Sequence, residues 1–157
     1  MRIVGKNVVI YGLGASGIAA YGLAKEKGAK VIVYDDDQNL KGATHAKSVF
    51  DGADLVVLSP GVDGAKDFLL DARLSSLQVT SELMLASEFC AAEQIAVTGT
   101  NGKTTTTLLI DAILKRSGAH SHAVGNIGTP FSAIADKLDS TELAVIEASR
   151  LQLENSV

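Results

Sequence analysis

Two glycine-rich turns constrain this chain of 157 residues more than any other feature, because each lies between a short apolar run and a helix-like stretch. The first turn follows residues 7–11 and reads G-L-G-A-S-G, and the second follows residues 95–97 and reads T-G-T-N-G-K-T. A strand that turns sharply into a helix directs free backbone N–H groups, and the positive end of the helix dipole, at an anion. The sequence therefore predicts two phosphate-binding turns in one chain.

The first turn has the spacing of a dinucleotide-binding fingerprint. Gly12, Gly14 and Gly17 form G-x-G-x-x-G between a predicted strand at 7–11 and a predicted helix at 15–27, and a second strand at 30–34 ends at Asp35. In Rossmann-like folds the carboxylate at that position, about 20 residues after the turn, contacts a ribose. Taken alone, this unit is compatible with NAD, with another nucleotide or with a purely structural turn.

The second turn resembles a phosphate-binding loop of the ATPase type. Lys103 is placed to reach the outer phosphates of a nucleotide, and the Thr104 hydroxyl is placed to bind Mg²⁺. The general pattern has a glycine six positions before the lysine, where this chain has Val97. A cation at a helix N-terminus is unfavourable without an anionic partner, which favours a functional role for Lys103.

Strands and helices alternate along the whole chain, which predicts an α/β fold with parallel sheets. The unbroken apolar run at 55–58 indicates a central strand that is covered on both faces. The sequence divides into a Rossmann-like domain at 1–92 and the first part of a P-loop ATPase-type α/β domain at 93–157. Predicted strands lie at 7–11, 30–34, 54–58, 77–80, 95–98, 120–124 and 143–147, and predicted helices lie at 15–27, 43–50, 66–76, from 81, 103–117 and 130–138.

Several motifs beyond the two turns carry a resemblance to one family. They are S-P-G-V from Ser59, S-E-L from Ser81, G-N-I-G-T-P from Gly125, and V-I-E-A-S with Gln152 and Leu153. Together with T-G-T-N-G-K-T they resemble the Mur ligases, ATP-dependent enzymes that form amide bonds in peptidoglycan precursor synthesis. The resemblance covers nearly the whole chain, and the loop at 125–130 and the segment from Glu147 are its most specific parts.

The resemblance implies a two-step ligation in which ATP phosphorylates the carboxylate of UDP-N-acetylmuramoyl-L-alanine. The amine of D-glutamate then attacks the acyl phosphate and expels inorganic phosphate, which leaves the amide bond. It also implies catalytic roles for Lys103 and Glu147, and Mg²⁺ binding by Thr104 and Glu147. ATP would be bound by Gly99, Thr100, Asn101, Gly102, Lys103, Thr104 and Thr105. The UDP substrate would be bound by Gly12, Gly14, Ser16, Gly17, Asp35, Gly61, Asn126 and Ser149.

Three features give weaker signals. The acidic run from Asp35 to Asp37 departs from relatives that have a threonine and a basic residue after the first acid, so details of uracil recognition stay open. Arg150 stands where the family usually has a small hydroxyl residue, and the sequence leaves its effect on the substrate undecided. His120 and His122 would share one face of a strand, but surface placement is the better interpretation because no neighbouring ligand completes a metal site.

Composition excludes several classes of protein. A net charge of −4 provides no basic surface for nucleic acid, and one cysteine excludes an internal disulfide and fits a reducing cytoplasm. No apolar run reaches the ~18 residues of a membrane span.

The length of the chain predicts only part of a three-domain ligase, with no activity alone and with self-association through the partial second domain. An NAD-dependent oxidoreductase and a non-catalytic nucleotide-binding module remain the alternatives.

Overall fold

The computed structural model describes residues 1–62 and 77–154, so the predicted helix at 66–76 lies outside the described residues. Within them the chain forms two parallel sheets with helices between the strands, as the alternating pattern predicted. No helix among the described residues is long and apolar enough to cross a membrane.

The first sheet contains four parallel strands in the order β2-β1-β3-β4. They are β1 (Asn7–Tyr11), β2 (Lys30–Tyr34), β3 (Leu55–Leu58) and β4 (Gln78–Ser81), with helix α1 (Ala15–Glu26) between the first two and helix α2 (Glu82–Ser87) directly after the last. All four residues of β3 are buried, in agreement with the prediction of a central strand. The carboxyl ends of β1 and β3 meet at one edge, because Tyr11 is in register with Leu58.

The second sheet contains three parallel strands in the order β5-β7-β6. They are β5 (Glu93–Val97), β6 (Ser121–Gly125) and β7 (Leu143–Glu147), with helix α3 (Lys103–Arg116) after the first and helix α4 (Arg150–Glu154) after the last. The central strand β7 aligns Glu147 with Val97 on one side and with Gly125 on the other. The ends of all three strands therefore meet beside the second glycine-rich turn.

One hydrophobic core joins the two sheets. It includes Ile10 and Leu23 from the first half of the chain, Leu85 from α2, and Phe131 and Ile146 from the second half. Phe131 and Leu85 have no exposed surface. A separate apolar cluster around Tyr11, Tyr34 and Phe50 packs against other residues of the first sheet. The shared core brings the segment after β6 against α1 and α2.

Two predicted helices were wrong. The segment predicted as a helix at 130–138 forms two short 3₁₀ turns, Phe131–Ala133 and Ala135–Lys137, with Ile134 between them at φ −130°. Burial of Phe131, Ala135 and Leu138 in the shared core decides this conformation over local helix propensity. The segment predicted at 43–50 is helical only as a 3₁₀ turn at Lys47–Phe50, because Thr44 pairs with Tyr34 beside β2.

Candidate functional site

The first glycine-rich turn is held tightly by its own backbone. The Gly12 amide donates to the Tyr34 carbonyl oxygen at 2.8 Å, and the Ser59 hydroxyl donates to the Gly12 carbonyl oxygen at 2.9 Å. A Cβ atom added to Gly17 would lie 1.8 Å from the Gly12 carbonyl oxygen, so no side chain fits there. At Gly14, by contrast, an added Cβ would meet no protein atom within 4 Å.

Gly14 is therefore free of a folding constraint of this kind and opens toward the space in front of α1. It is the N-cap residue of α1, and no side chain caps that helix. The first N–H groups of an α-helix lack partners within the helix, so this end of α1 suits an anion. Ser16 lies in the first turn of the same helix and is half-buried.

Asp35 supports the turn from the end of β2. Its Oδ2 atom accepts from the Leu13 amide at 2.7 Å, and its Oδ1 atom accepts from the Asp37 amide at 2.9 Å. The next carboxylate, Asp36, accepts from the hydroxyls of Tyr11 and Tyr34. The acidic run therefore begins with the half-buried Asp35, which bonds to the turn, and the exposed Asp36, which bonds to the aromatic cluster.

Gly61 and Ser149, predicted to bind the same substrate, line one small cavity of about 30 Å³. Ser59, Ser81 and Gln152 line it as well. Gly61 has φ +89°, which a glycine adopts without strain. The Ser149 amide donates to the Gln152 side-chain oxygen at 2.8 Å, which closes the first turn of α4. The turn after β3 and the turn after β7 thus meet.

The second glycine-rich turn has the backbone of an anion site. Gly102 is the N-cap of α3 in the left-handed conformation, at φ +76°, and no side chain caps this helix. Asn101 and Thr105 are exposed around it. The Lys103 ammonium group donates to the Gly99 carbonyl oxygen at 2.8 Å, so the side chain folds over the turn rather than away from it.

Thr104 and Glu147, predicted to bind Mg²⁺, are in direct contact. The Thr104 hydroxyl donates to Glu147 Oε2 at 2.7 Å. Glu147 ends β7 and retains only 4% of its surface exposed, whereas Thr104 is exposed. A hydroxyl and a carboxylate at this spacing are oxygen donors of the kind that Mg²⁺ prefers. The side chains present therefore fit the predicted cation.

Asn126 is hydrogen-bonded to Glu147 through the backbone. Its amide donates to the Glu147 carbonyl oxygen at 2.9 Å. Gly125, at φ +102°, makes this approach possible, because an added Cβ would lie 2.4 Å from that oxygen. The structure therefore brings the predicted metal ligand and the predicted substrate loop together.

Arg150 lines a larger pocket of about 310 Å³. Thr98, Gly99 and Thr100 from the second turn and Leu153 from α4 complete its lining. The departure at position 150 thus faces the phosphate-binding turn, and an arginine there adds positive charge beside it.

The predicted surface placement of the histidines agrees with the structure. His120 is exposed, and His122 Nε2 lies 2.8 Å from a carboxylate oxygen of Glu142. No group of three or more potential metal ligands occurs among the residues described.

Sequence reasoning missed the residues that connect the two sheets. The Glu82 carboxylate accepts from the Ser132 amide at 2.8 Å, and the Ser81 hydroxyl donates to the Gln152 carbonyl oxygen at 2.8 Å. An acid that follows a serine at a helix start normally indicates capping, and Ser81 does cap α2 by accepting from the Met84 amide. The pattern carries no signal that Glu82 is also buried, with 1% of its surface exposed.

Comparison with known proteins gives consistent results. Residues 97–157 match the model of the Mur ligase middle domain. Two curated relatives, both called UDP-N-acetylmuramoylalanine--D-glutamate ligase, come from Pelodictyon phaeoclathratiforme and Koribacter versatilis. The first is 37% identical over 99% of this chain and the second is 38% identical over 98%. The chain spans only 37% and 38% of their lengths.

Solved structures show the same fold at lower identity. UDP-N-acetylmuramate-alanine ligase from Thermotoga maritima has a TM-score of 0.51 and 20% identity, and the match covers 92% of this chain and 37% of that one. A second structure is that of UDP-N-acetylmuramate:L-alanyl-gamma-D-glutamyl-meso-diaminopimelate ligase from Neisseria meningitides. Its TM-score is 0.50 at 22% identity, covering 92% of this chain and 53% of that one. The motifs, the parallel α/β fold and these matches together place the chain in the Mur ligase family.

Proposed function

We propose that the chain supplies the UDP-substrate site and the ATP site of a ligase that joins D-glutamate to UDP-N-acetylmuramoyl-L-alanine. The observation that carries this proposal is the contact between Thr104 and Glu147 at 2.7 Å. Glu147 is in register with Gly125, where the predicted substrate loop begins. The names of the curated relatives support the choice of D-glutamate as the amino acid.

We assign the UDP-substrate domain to residues 1–92 and the partial ATP-binding domain to residues 93–157. The two sheets support this division, since β4 ends the first sheet at Ser81 and β5 begins the second at Glu93. The first glycine-rich turn, with Gly14 open in front of α1, is then the site for the pyrophosphate of the UDP substrate.

Lys103, Thr104 and Glu147 are the residues proposed to act on the nucleotide. Lys103 would exchange its bond to the Gly99 carbonyl oxygen for the outer phosphates of ATP. Thr104 and Glu147 would hold Mg²⁺, which when bound neutralises charge on the phosphate oxygens. The turn residues from Gly99 to Gly102, with Thr105, would contact the remaining phosphate oxygens through their backbone N–H groups and hydroxyls.

The UDP substrate would extend from the first turn to the second sheet. Asp35 belongs to its site through the turn that it supports, and Gly61 and Ser149 line the cavity between the two sheets. Asn126 would contact the substrate beside Glu147. The acceptor carboxylate would then lie near the phosphate to be transferred, which is the proximity that such a reaction requires.

Calorimetry with four ligands tests the proposal. We expect wild-type chain to bind UDP, UDP-N-acetylmuramoyl-L-alanine and ATP with Mg²⁺, and to show no heat with NAD. Binding of NAD without any uridine nucleotide would instead support the oxidoreductase. Binding of UDP and ATP without the muramoyl substrate would leave only a nucleotide-binding module.

A cytoplasmic location and weak self-association belong to the same proposal. The use of ATP supports the first, and the exposed apolar side chains of α3 support the second.

A further inference from the structure

Two neighbouring residues at the end of the first sheet hold two segments of the second half of the chain that lie beside proposed substrate residues. Ser81 ends β4 and bonds to the carbonyl oxygen of Gln152 in α4. Glu82 begins α2 and bonds to the backbone amide of Ser132, in the 3₁₀ turn after the Asn126 loop. Both side chains are almost fully buried, each with 1% of its surface exposed.

Apolar contacts also join α2 and the turn at Phe131–Ala133. Leu83 and Leu85 of α2 share the core with Phe131, which directly precedes Ser132. Apolar packing is non-directional, so it favours contact between the two halves without defining their register. A carboxylate that accepts a backbone amide at 2.8 Å defines both distance and direction.

The hydrogen bond that the Ser132 amide donates to the Glu82 carboxylate is also hard to replace. Ser132 retains 3% of its surface exposed, so its amide cannot turn to bulk water without opening the interface. The second link between the pair, from the Ser132 hydroxyl to the Glu82 carbonyl oxygen, is long at 3.4 Å. The carboxylate is therefore the main directional contact between α2 and the turn at Phe131–Ala133.

The turn at Phe131–Ala133 follows the Asn126 loop after only a few residues. Thr129 accepts from the Gly125 amide at 3.0 Å, which closes the loop, and Asn126 is bonded to Glu147. A shift of Ser132 relative to α2 would therefore move the loop relative to the first glycine-rich turn.

We propose that Glu82 is a positioning residue that sets the distance between the first glycine-rich turn and the Asn126 loop, and so the span available to a ligand that contacts both. This inference rests on the proposed function for the identity of the spanning ligand. The hydrogen bond by which the Glu82 carboxylate holds Ser132 does not depend on the proposed function.

The test compares two substitutions of similar size. Glu82→Gln keeps an oxygen that accepts from the Ser132 amide, whereas Glu82→Met keeps length and apolar packing but removes the acceptor. We expect Glu82→Gln to bind UDP and UDP-N-acetylmuramoyl-L-alanine within about twofold of wild type. Glu82→Met should keep its affinity for UDP, which needs only the first turn, and lose about tenfold for the spanning substrate.

Ser132→Ala is the matched control, because it removes the hydroxyl and keeps the amide. We expect its affinities to match wild type. Glu82→Met that binds the spanning substrate as wild type does would overturn the proposal. So would an equal loss for both ligands, since that outcome indicates a structural role alone.

Amide hydrogen exchange separates this inference from the proposed function. The Ser132 amide should exchange about tenfold faster in Glu82→Met than in wild type, while the Val9 amide in β1 stays unchanged. Wild-type chain that binds neither uridine ligand would contradict the proposed function, and the Ser132 exchange rates would still decide whether Glu82 positions the turn. An unchanged Ser132 rate would exclude it.

Discussion

At the scale of single residues, the two glycine-rich turns differ in what their residues do for the fold. Gly17 cannot carry a side chain, because the Gly12 carbonyl oxygen occupies that space. Gly14 can, since no protein atom lies within 4 Å of its added Cβ. The fold thus does not require a glycine at position 14, and the proposed pyrophosphate contact at the uncapped start of α1 would require one.

We predict that Gly14→Val leaves the midpoint of thermal unfolding within a few degrees of wild type and abolishes UDP binding. The valine side chain would occupy the position of the pyrophosphate. Calorimetry with UDP and a thermal melt measure the two effects. Gly17→Ala is the contrasting variant and should lower the melting temperature strongly. Wild-type affinity for UDP in Gly14→Val would contradict the proposed site.

Lys103, in the second turn, is half-buried, and its ammonium group donates to the backbone carbonyl oxygen of the exposed Gly99. Lys103→Ala should therefore keep its stability within about 0.5 kcal/mol. It should weaken the binding of ATP with Mg²⁺ by at least about tenfold, because the charge on the outer phosphates loses its partner. Calorimetry measures this change.

Lys115→Ala is the control for Lys103→Ala. Lys115 belongs to the last turn of the same helix and is bonded to Asp111, away from the turn at Gly102. ATP affinity should be unchanged in Lys115→Ala. An equal loss in the two variants would indicate a general charge effect and remove Lys103 from the site.

At the scale of elements, the ends of β6 and β7 are joined by a close backbone contact. Gly125 approaches the Glu147 carbonyl oxygen so closely that an added Cβ would lie 2.4 Å from it. The same contact places Asn126 and Glu147 side by side. Gly125 therefore determines how the proposed substrate loop meets the predicted metal ligand.

We predict that Gly125→Ala costs more than about 2 kcal/mol of unfolding free energy, from the steric overlap and the positive φ. Gly128→Ala is the matched comparison. Its φ is +56° and its added Cβ meets nothing within 4 Å, so about 1 kcal/mol is expected. Urea unfolding of both variants measures the difference. Equal costs would show that the contact with Glu147 relaxes easily.

At the scale of the whole molecule, a buried carboxylate lies between the two halves of the chain. Burial raises the pKa of Glu82 above its ordinary value of 4.5, and the hydrogen bonds from Ser132 oppose part of that rise. An acid whose pKa is higher in the folded chain binds its proton more tightly there than in the unfolded chain. Its contribution to stability therefore decreases as the pH rises from 4.5 through the folded pKa.

We predict that Glu82→Gln removes this part of the pH dependence. The free energy of unfolding of the variant, relative to wild type, should increase as the pH rises from 4.5 through the folded pKa of Glu82. Urea unfolding at a series of pH values measures the difference. Parallel pH profiles for the two proteins would show that Glu82 does not carry the raised pKa.

Local sequence patterns were sufficient to predict most of the strands and helices. β1, β2 and β7 were predicted with their observed bounds, because apolar runs that end at glycine or acidic residues are strong local signals. The start of α3 at Lys103 was predicted for the same reason. The segment at 130–138 was wrong because Phe131, Ala135 and Leu138 are placed by contacts with α1 and α2, which lie far away in sequence.

For the site, the residues of both turns could be predicted from local patterns, since G-x-G-x-x-G and T-G-T-N-G-K-T act through their own backbone and need no distant partner. How the two turns are related depends on contacts between residues far apart in the sequence. The contacts of Thr104 with Glu147, of Asn126 with Glu147 and of Glu82 with Ser132 join residues 43, 21 and 50 positions apart. Such contacts depend on the order of strands in a sheet and on packing between sheets, and neither is encoded in a local pattern.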